Sequence, residues 1–241
     1  MRFRLVTYNI HKGIGGVDRL YRPDRIIDTL RLYDPDVVFL QEVDEGVPRS
    51  QRHRQVDLLG DALDFPFRAY QRNVALNQGH YGNAILSRHP LYEIHSIDLS
   101  VPLKKRRQAL TACCRPRGTR RGEIQLINCH LGLAGFERRI QLGRILDSDV
   151  FRRASHACTA IVVGGDFNDV WGTLGKRLLE PLGFIAACKE TRTFPAMMPL
   201  RPLDRVYFHG ALGFEHSFPA HASIARFASD HLPVIVDFRL G

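Results

Sequence analysis

The 241-residue sequence has no apolar run that approaches the roughly 20 residues needed for a transmembrane helix. Its first residues, 1–4, lead directly into a strand-like pattern, which leaves no room for a cleavable signal peptide. We therefore expect a chain without a transmembrane segment that functions in the cytoplasm.

Cysteine is scarce, and its spacing matches no metal-binding knuckle. The number of cysteines, five, is odd, which argues against a framework of disulfides. The sequence therefore predicts free thiols in a reducing compartment. The five residues are Cys113, Cys114, Cys129, Cys158 and Cys188.

Acidic residues are fewer than basic ones: the chain has 25 Asp and Glu and 34 Lys and Arg, which gives a formal net charge of +9. This balance favours an anionic partner, such as nucleic acid, a phosphorylated metabolite or an anionic membrane surface. The positive charge is concentrated in three runs, at residues 49–54, 104–107 and 115–121. Runs of this kind also occur in solvated loops, so charge alone selects no partner.

The most informative stretch is residues 160–168, where an apolar run stops at two glycines and is followed by Asp166 and Asn168. A short apolar run bounded by turn residues is typical of a strand that is buried on both faces. Taken alone, the two polar residues also fit an ordinary turn after a core strand.

Other predicted strands end or begin in the same way, with an acid, an amide or a histidine. Strands alternate with helices, and no shift in composition divides residues 1–241, so we predict a single domain of two packed sheets with helices outside. A weak repeat suggests two similar halves that contribute one sheet each. The polar residues at the other strand ends are Asn9, Glu42, His130, Asp204, Asp230 and His231.

Four helices are predicted from apolar periodicity, starting at Pro23 and covering residues 55–63, 134–152 and 173–182. The first should bury Leu32 on its apolar face, and the third should bury Ile140. A proline-rich loop is expected at residues 191–203.

Carboxylate and amide oxygens dominate the polar set, and these are the ligands of a hard cation such as Mg²⁺ or Mn²⁺. Zinc is the alternative, since this polar set includes two histidines, His130 and His231. No His-x-x-x-His or Glu-x-x-His spacing supports zinc.

Seven short motifs, taken together and in this order, resemble those of the endonuclease/exonuclease/phosphatase family, whose fold is that of DNase I. The resemblance covers nearly the whole chain and implies an α+β fold, a four-layer α/β/β/α sandwich of two packed mixed β-sheets flanked by helices. The motifs are Thr7-Tyr8-Asn9, Gln41-Glu42, Tyr81-Gly82-Asn83, Asn128-Cys129-His130-Leu131, Gly165-Asp166-Phe167-Asn168, Leu203-Asp204-Arg205 and Ser229-Asp230-His231.

The resemblance also implies roles for these residues. Glu42, with Asn9 and Asp230, is expected to hold a divalent metal ion. Asp204 would orient His231 as a general base, although Asp166 remains the alternative acceptor of the water proton.

Asp166 and Asn168 would position the water and a phosphoryl oxygen, and they are also candidates for a second metal. His130 would donate a hydrogen bond to the phosphate or the leaving oxygen. Tyr81, Asn83 and Arg107 are expected to bind substrate; the competing interpretations are a structural turn for the Tyr81 segment and a solvated charge for Arg107. Lys12, in the loop after Asn9, is interpreted as a plain loop charge.

The predicted activity is Mg²⁺- or Mn²⁺-dependent hydrolysis of a phosphodiester, with DNA or RNA as the first candidate substrate because of the positive balance. A phospholipid or sphingomyelin-type phosphodiester and a small phosphorylated metabolite are the alternatives. A catalytically disabled module that binds nucleic acid or membrane is a further hypothesis, and the retention of every acid, amide and histidine that the chemistry requires argues against it.

Overall fold

The computed structural model describes residues 1–117, 122–188 and 191–240. The basic run at residues 115–121 therefore lies partly outside the described residues. The strands are β1 (Arg2–Asn9), β2 (Val37–Glu45), β3 (Phe67–Ala75), β4 (His80–Ser87), β5 (Leu91–Asp98), β6 (Gln108–Cys114), β7 (Ile124–His130), β8 (Ala160–Asp166), β9 (Ile185–Ala186), β10 (Asp204–Gly210), β11 (Leu212–Pro219) and β12 (Val234–Leu240). The helices are α1 (Pro23–Tyr33), α2 (Gln55–Ala62), α3 (Gly135–Leu146), α4 (Asp149–Ala157), α5 (Thr173–Leu178) and α6 (Ser223–Ala228).

The strands form two six-stranded mixed sheets. The first has the order β11-β12-β1-β2-β4-β3, and the second has the order β5-β6-β7-β8-β10-β9. The pairs β1–β2 and β7–β8 are parallel, and the other pairs are antiparallel. The predicted fold, a DNase I-like sandwich, is confirmed.

Strands that are buried on both faces supply the cores of this sandwich. In β2, Val37 and Phe39 point into the core between the sheets, while Val38 and Leu40 point into the core under the helices. This alternation follows from the two-residue period of a strand, and it explains the continuous apolar runs of the sequence. A third core covers the outer face of the second sheet, beneath α3, α4 and α5. Among the described residues, no helix is long and apolar enough to cross a bilayer.

The prediction of two halves with one sheet each is wrong. The last strand, β12, pairs with β1 in the first sheet, and the second sheet is built from the middle of the chain. The side chain of Arg4 on β1 donates to both oxygens of Asp237 on β12, at 2.6 and 2.7 Å. Both chain ends therefore belong to one sheet, because β12 covers the edge of β1.

The helix predicted over residues 134–152 is two helices. Ser148 caps the start of α4, and its hydroxyl accepts a hydrogen bond from the Phe151 amide at 3.2 Å. This cap lets the chain change direction after Leu146. Ile140 is 42% exposed, so it lies outside the apolar face that packs on the sheet.

Three further details differ from the sequence-based predictions. Leu32 of α1 is 63% exposed and does not pack on the sheet. The helix predicted over residues 173–182 ends as α5 at Leu178, and a separate 3-10 turn covers Glu180–Leu182. Finally, β9, β11 and α6 were not predicted; β9 has two residues and α6 six, and β11 carries a weak apolar pattern.

Candidate active site

Strand register gathers the polar residues at one edge of the sandwich. His130 ends β7 directly opposite Asp166 at the end of the parallel strand β8. Asp204 begins the antiparallel strand β10 opposite the same Asp166. Asn9 ends β1 in the facing sheet. Residues that are far apart in sequence therefore share one edge because their strands end there.

Asp166 is the centre of this group, and it is 1% exposed. Its Oδ2 atom accepts a hydrogen bond from Asn9 Nδ2 at 3.1 Å and lies 3.4 Å from His130 Nε2. Its Oδ1 atom accepts from the Asn168 backbone amide at 3.0 Å. Asn168 has a left-handed backbone, with φ of 51°, and its side chain donates to the Leu131 carbonyl at 2.9 Å. The loops after β7 and β8 are thus tied together beside Asp166.

His231 is held between two buried carboxylates. Its Nδ1 atom lies 2.9 Å from Asp204 Oδ2, and its Nε2 atom lies 3.8 Å from Asp166 Oδ2. Thr193 donates a second hydrogen bond to Asp204 Oδ2, at 2.5 Å. The ring of Phe194 packs 5.0 Å from the imidazole, centroid to centroid. The imidazole orientation is therefore fixed, with one nitrogen on Asp204 and the other facing Asp166.

The electrostatics differ sharply between the two histidines. Burial, followed by the positive charges of Arg107 and His231, holds the pKa of His130 well below its usual range, so His130 is neutral at pH 7. Burial alone would lower the pKa of His231, but the charges of Asp204 and Asp166 outweigh it and raise the pKa to about 10. Burial raises the pKa of Asp166 to about 6. His130 is therefore neutral, whereas His231 is positively charged and lies between the carboxylates of Asp204 and Asp166.

Glu42 lies within β2 rather than after its end, which corrects the prediction of its place. The register between β2 and β4 shifts between Leu40 and Val43, and Glu42 in this bulge has a φ of 58°. The bulge aims its carboxylate away from the ladder. Burial alone would raise the pKa of Glu42, but the charge and hydrogen bond of Lys12 lower it, so the carboxylate is ionised at neutral pH.

Asp230 reaches the same edge from the segment before β12. Ser229 donates a hydrogen bond to the Asn9 carbonyl at 2.7 Å, which fixes this segment to the end of β1. Asp230 Oδ2 lies 3.9 Å from His11 Nε2, and Lys12, the next residue along, pairs with Glu42. The loop after β1 therefore contacts both Asp230 and Glu42.

One cluster of Asp and His side chains in the described part of the chain has ligand atoms close enough together for a metal ion. The ligand atoms of Asp166, Asp204 and His231 all lie within 4.8 Å of one another. Asp204 Oδ2 already accepts from His231 and Thr193, so this group is a hydrogen-bonded chain. The predicted metal ligands, Asn9, Glu42 and Asp230, come to this edge from the end of β1, the bulge of β2 and the segment before β12. Glu42 is a partly buried, ionised carboxylate, and together with a further carboxylate and an amide oxygen it fits a hard divalent cation.

The three predicted substrate-binding residues are all buried. The ring of Tyr81 is surrounded by cations: Lys105 Nζ lies 4.7 Å from its centroid, Arg49 lies at 5.5 Å and Lys12 at 6.0 Å. Asn83 is 1% exposed and donates to the Gln108 carbonyl at 3.1 Å, so this amide group faces β6.

Arg107 is 6% exposed, whereas the three cations before it are exposed. Its charge lowers the pKa of both His130 and Glu42. Arg107 is therefore part of the site's electrostatics rather than a solvated charge.

Sequence reasoning missed several residues at this edge. Lys12 is not the plain loop charge that was predicted, because its ammonium group pairs with Glu42 and its side chain is only 17% exposed. Thr193, which fixes Asp204, lies in the segment predicted as a proline-rich loop. The available signal was the segment Arg192-Thr193-Phe194-Pro195, which resembles a segment of compact bacterial members of the family whose substrate is unassigned. For Lys12 the available signal was its distance of three residues from Asn9.

Comparisons with known proteins agree with this geometry. The model of the Endonuclease/Exonuclease/phosphatase family matches residues 6–231. The Escherichia coli (strain K12) protein YbhP, which is uncharacterized, is 30% identical to this chain over an alignment 259 residues long. The alignment covers 99% of this chain and 96% of YbhP.

Two solved structures show the same fold. An endonuclease/exonuclease/phosphatase from Beutenbergia cavernae has a TM-score of 0.80 at 22% identity, covering 100% of this chain and 72% of that one. D. rerio TDP2, complexed with single-strand DNA product, has a TM-score of 0.72 at 20% identity, covering 99% of each chain. With its family model matched almost from end to end, this chain belongs to the endonuclease/exonuclease/phosphatase family.

Proposed function

We propose that this chain, acting as one domain over residues 1–241, hydrolyses phosphodiesters with the help of Mg²⁺ or Mn²⁺. The observation that carries the proposal is the buried chain Asp204–His231–Asp166, joined to Asn9 of the facing sheet by a 3.1 Å hydrogen bond. A carboxylate that fixes one nitrogen of an imidazole leaves the other nitrogen for proton transfer. This arrangement supports hydrolysis by an activated water.

The divalent ion is assigned to Asn9, Glu42 and Asp230, and when bound it supplies positive charge that stabilises a phosphoryl oxygen. The chain's own residues place the water. Asp166 and the amide of Asn168 flank the attacking position. His231, whose pKa is raised to about 10, already carries a proton at pH 7, so the proton taken from the water is assigned to Asp166. Asp166 Oδ2 lies 3.8 Å from His231 Nε2, and Asp204 stabilises the imidazolium.

Negative charge grows on the phosphoryl and leaving oxygens during in-line attack, and fixed donors stabilise it in a site that excludes water. His130 is neutral and buried, so it serves as a hydrogen-bond donor to these oxygens rather than as a cation. Arg107, whose charge acts on both Glu42 and His130, is assigned to the phosphate. Tyr81 is assigned to the wall of the cleft and Asn83 to its support from β4.

Nucleic acid is the first candidate for the substrate, on the net charge of +9. TDP2 was solved with a single-strand DNA product, and its 20% identity with this chain makes it a guide to the fold only. A phospholipid phosphodiester is the second candidate, because the loops around the site expose large apolar side chains.

The reaction is tested with bis-p-nitrophenyl phosphate, Mg²⁺ and EDTA. We expect hydrolysis that EDTA abolishes and that Glu42→Ala and His231→Ala each reduce by at least about 100-fold. Glu215→Ala and His95→Ala, at exposed positions on β11 and β5, serve as matched controls and should leave the rate unchanged. Activity that ignores EDTA and both site variants would contradict the proposal.

A further inference from the structure

The loops around the candidate site expose six large apolar side chains. Leu103 is fully exposed, Trp171 is 81% and Leu133 is 78% exposed. Met198, Phe136 and Leu200 follow at 63%, 57% and 54%. Single exposed apolar side chains are ordinary on a protein surface, but a group of six around one cleft is not. We call these six residues the apolar rim.

Topology places the members of the apolar rim at the same edge as the site. Leu133 follows the end of β7, and Trp171 follows the end of its parallel neighbour β8. The hydrogen bond from Asn168 to the Leu131 carbonyl ties these two loops together.

Three further members lie in loops that precede strands antiparallel to β7 and β8. Leu103 precedes β6, whose residue Ala109 pairs with Cys129 next to His130. Met198 and Leu200 precede β10, which begins at Asp204 opposite Asp166. Four loops therefore emerge side by side around the site.

One cation–ring contact and two grooves connect parts of the apolar rim with neighbouring segments. Lys104 Nζ lies 5.5 Å from the ring centroid of Phe136, which joins the loop before β6 to the start of α3. A groove of about 440 Å³ runs from Phe136 to Thr173 at the start of α5. A second groove, of about 470 Å³, lies between Trp171 and Leu200.

The same segments are strongly basic. Residues 103–106, 133–139, 171–177 and 192–201 together contain nine lysines and arginines and a single acid, Glu137, which is buried. Exposed apolar groups interleaved with cations match an anionic lipid surface, where the apolar groups enter the headgroup region and the cations meet lipid phosphates.

Nucleic acid fits the apolar rim less well. Bases bind to proteins by stacking on aromatic planes. Four of the six members are Leu or Met, which offer no such plane, whereas every member gains from burial at the acyl boundary.

We propose that the apolar rim docks this protein on an anionic phospholipid bilayer, and that this docking favours the second candidate substrate, a phospholipid phosphodiester, over nucleic acid. The inference rests on the proposed function for the chemistry at the site, while the docking itself does not depend on catalysis.

The test uses Trp171, which is the only tryptophan of the chain. Its emission is recorded in EDTA as the protein is titrated with phosphatidylcholine vesicles, with or without phosphatidylglycerol. We expect a shift to shorter wavelength with the anionic vesicles and quenching by brominated acyl chains. Leu133→Ser should weaken partitioning about tenfold, and Lys105→Gln about fivefold.

Leu32→Ser and Arg31→Gln are the matched controls. Both positions are exposed near the end of α1, beside the start of β1 and far along the strand from the site. Neither control should change vesicle binding.

Three outcomes would overturn the proposal: no binding to anionic vesicles, equal loss in rim and control variants, or a Trp171 response to a single-stranded oligonucleotide but not to vesicles. Hydrolysis of bis-p-nitrophenyl phosphate is measured separately. Hydrolysis without vesicle binding contradicts only the docking proposal, and vesicle binding without hydrolysis contradicts only the proposed function.

Discussion

Asn9 Nδ2 donates a hydrogen bond to Asp166 Oδ2 over 3.1 Å, and the two residues belong to different sheets. Asn9 ends β1 and Asp166 ends β8, so the contact bridges the sandwich at the edge where the site lies. Any change in the packing of the two sheets therefore moves these groups relative to each other. The position of Asn9, in the first sheet, relative to Asp166, in the second, depends on this packing.

Asp166→Asn is expected to separate activity from stability. The carboxamide keeps the shape of the side chain, but it removes the negative charge beside His231, so hydrolysis of bis-p-nitrophenyl phosphate should fall by at least about 100-fold. The melting temperature should not fall, because an ionised carboxylate buried to 1% exposure carries a desolvation cost that an amide avoids.

Asp169→Asn is the variant with which Asp166→Asn is compared in a calorimetric scan. Asp169 is also buried, and it accepts the Leu174 amide at 2.7 Å at the start of α5. This variant should keep most of the activity. If Asp166→Asn retained wild-type rates, Asp166 would have no part in the chemistry.

Lys12→Met is expected to strengthen the binding of Mn²⁺. The Lys12 ammonium pairs with the Glu42 carboxylate and so competes with a divalent cation for the same oxygens. Removing one positive charge at this range should increase the affinity at least about tenfold. Free Mn²⁺ is measured by electron paramagnetic resonance, with Lys176→Met as the exposed control. Weaker Mn²⁺ binding in Lys12→Met would show that Lys12 supports the cation site instead.

Asp204→Asn tests whether the orientation of His231 matters. The new carboxamide is able to present an N–H to His231 where a carboxylate now accepts, so kcat should fall by roughly 1,000-fold with little change in KM. Thr193→Val removes the other hydrogen bond to Asp204 but keeps its charge, and it should cost only about tenfold. Equal losses in the two variants would point to a structural role for both residues.

Local patterns in the sequence predicted the strand ends well. Asp166 and Asn168 follow an apolar run that forms β8, and Asn9 and His130 end the strands that were predicted for them. Each of these positions follows from a few neighbouring residues: their alternation of apolar and polar side chains, their β-branched side chains, or a glycine near the end of the strand. The DNase I-like fold was predicted from the order of the motifs.

Features that depend on distant residues were not predicted. The bulge at Glu42 accompanies contacts of Asn128, which donates to the carbonyls of Leu40 and Ala84, both at 2.9 Å. Lys12 pairs with Glu42 in that bulge, so its closeness to Asn9 in the sequence did not identify its partner. Likewise, the place of β12 beside β1 is decided by long-range strand pairing, whereas a repeat in the sequence suggested another arrangement.

Asp237→Asn is expected to destabilise the fold in a pH-dependent way. Burial alone would raise the pKa of Asp237, but the hydrogen bonds and charge of Arg4 outweigh it and lower the pKa below its ordinary 3.8. A lowered pKa means that the ionised form stabilises the folded state above about pH 4, and that this contribution is lost as the pH falls through the folded-state pKa.

The free energy of unfolding of Asp237→Asn should therefore be about 3 kcal/mol lower than that of the wild type at pH 7, with a smaller gap at pH 3. Urea denaturation at the two pH values measures this. Asp28→Asn, at an exposed site on α1, should show no gap. A gap that is independent of pH would mean that the charge of Asp237 is not what stabilises this pair of strands.

Gly165→Ala is expected to damage both stability and activity, whereas Gly164→Ala should be mild. Gly165 has a φ of 132°, and a Cβ atom added there would lie 1.9 Å from the Cys129 carbonyl oxygen on β7. A Cβ on Gly164 would meet its nearest neighbours, the Arg205 carbonyl and the Phe39 ring, at 3.2 and 3.3 Å. The first clash is with backbone and forces the end of β8 away from β7, while the second needs only a small adjustment.

Because Asp166 comes directly after Gly165 and lies opposite His130, displacement of this strand end also moves the carboxylate from its hydrogen-bonding and charged neighbours. We expect Gly165→Ala to lose about 3 kcal/mol of unfolding free energy in urea, and Gly164→Ala about 1 kcal/mol. Hydrolysis should fall at least about 100-fold in the first variant and little in the second. Similar unfolding free energies and similar hydrolysis rates for the two alanine variants would contradict this prediction. They would mean that β7 and β8 accommodate the added Cβ atom without moving Asp166, and that Gly165 has no special role in positioning the site.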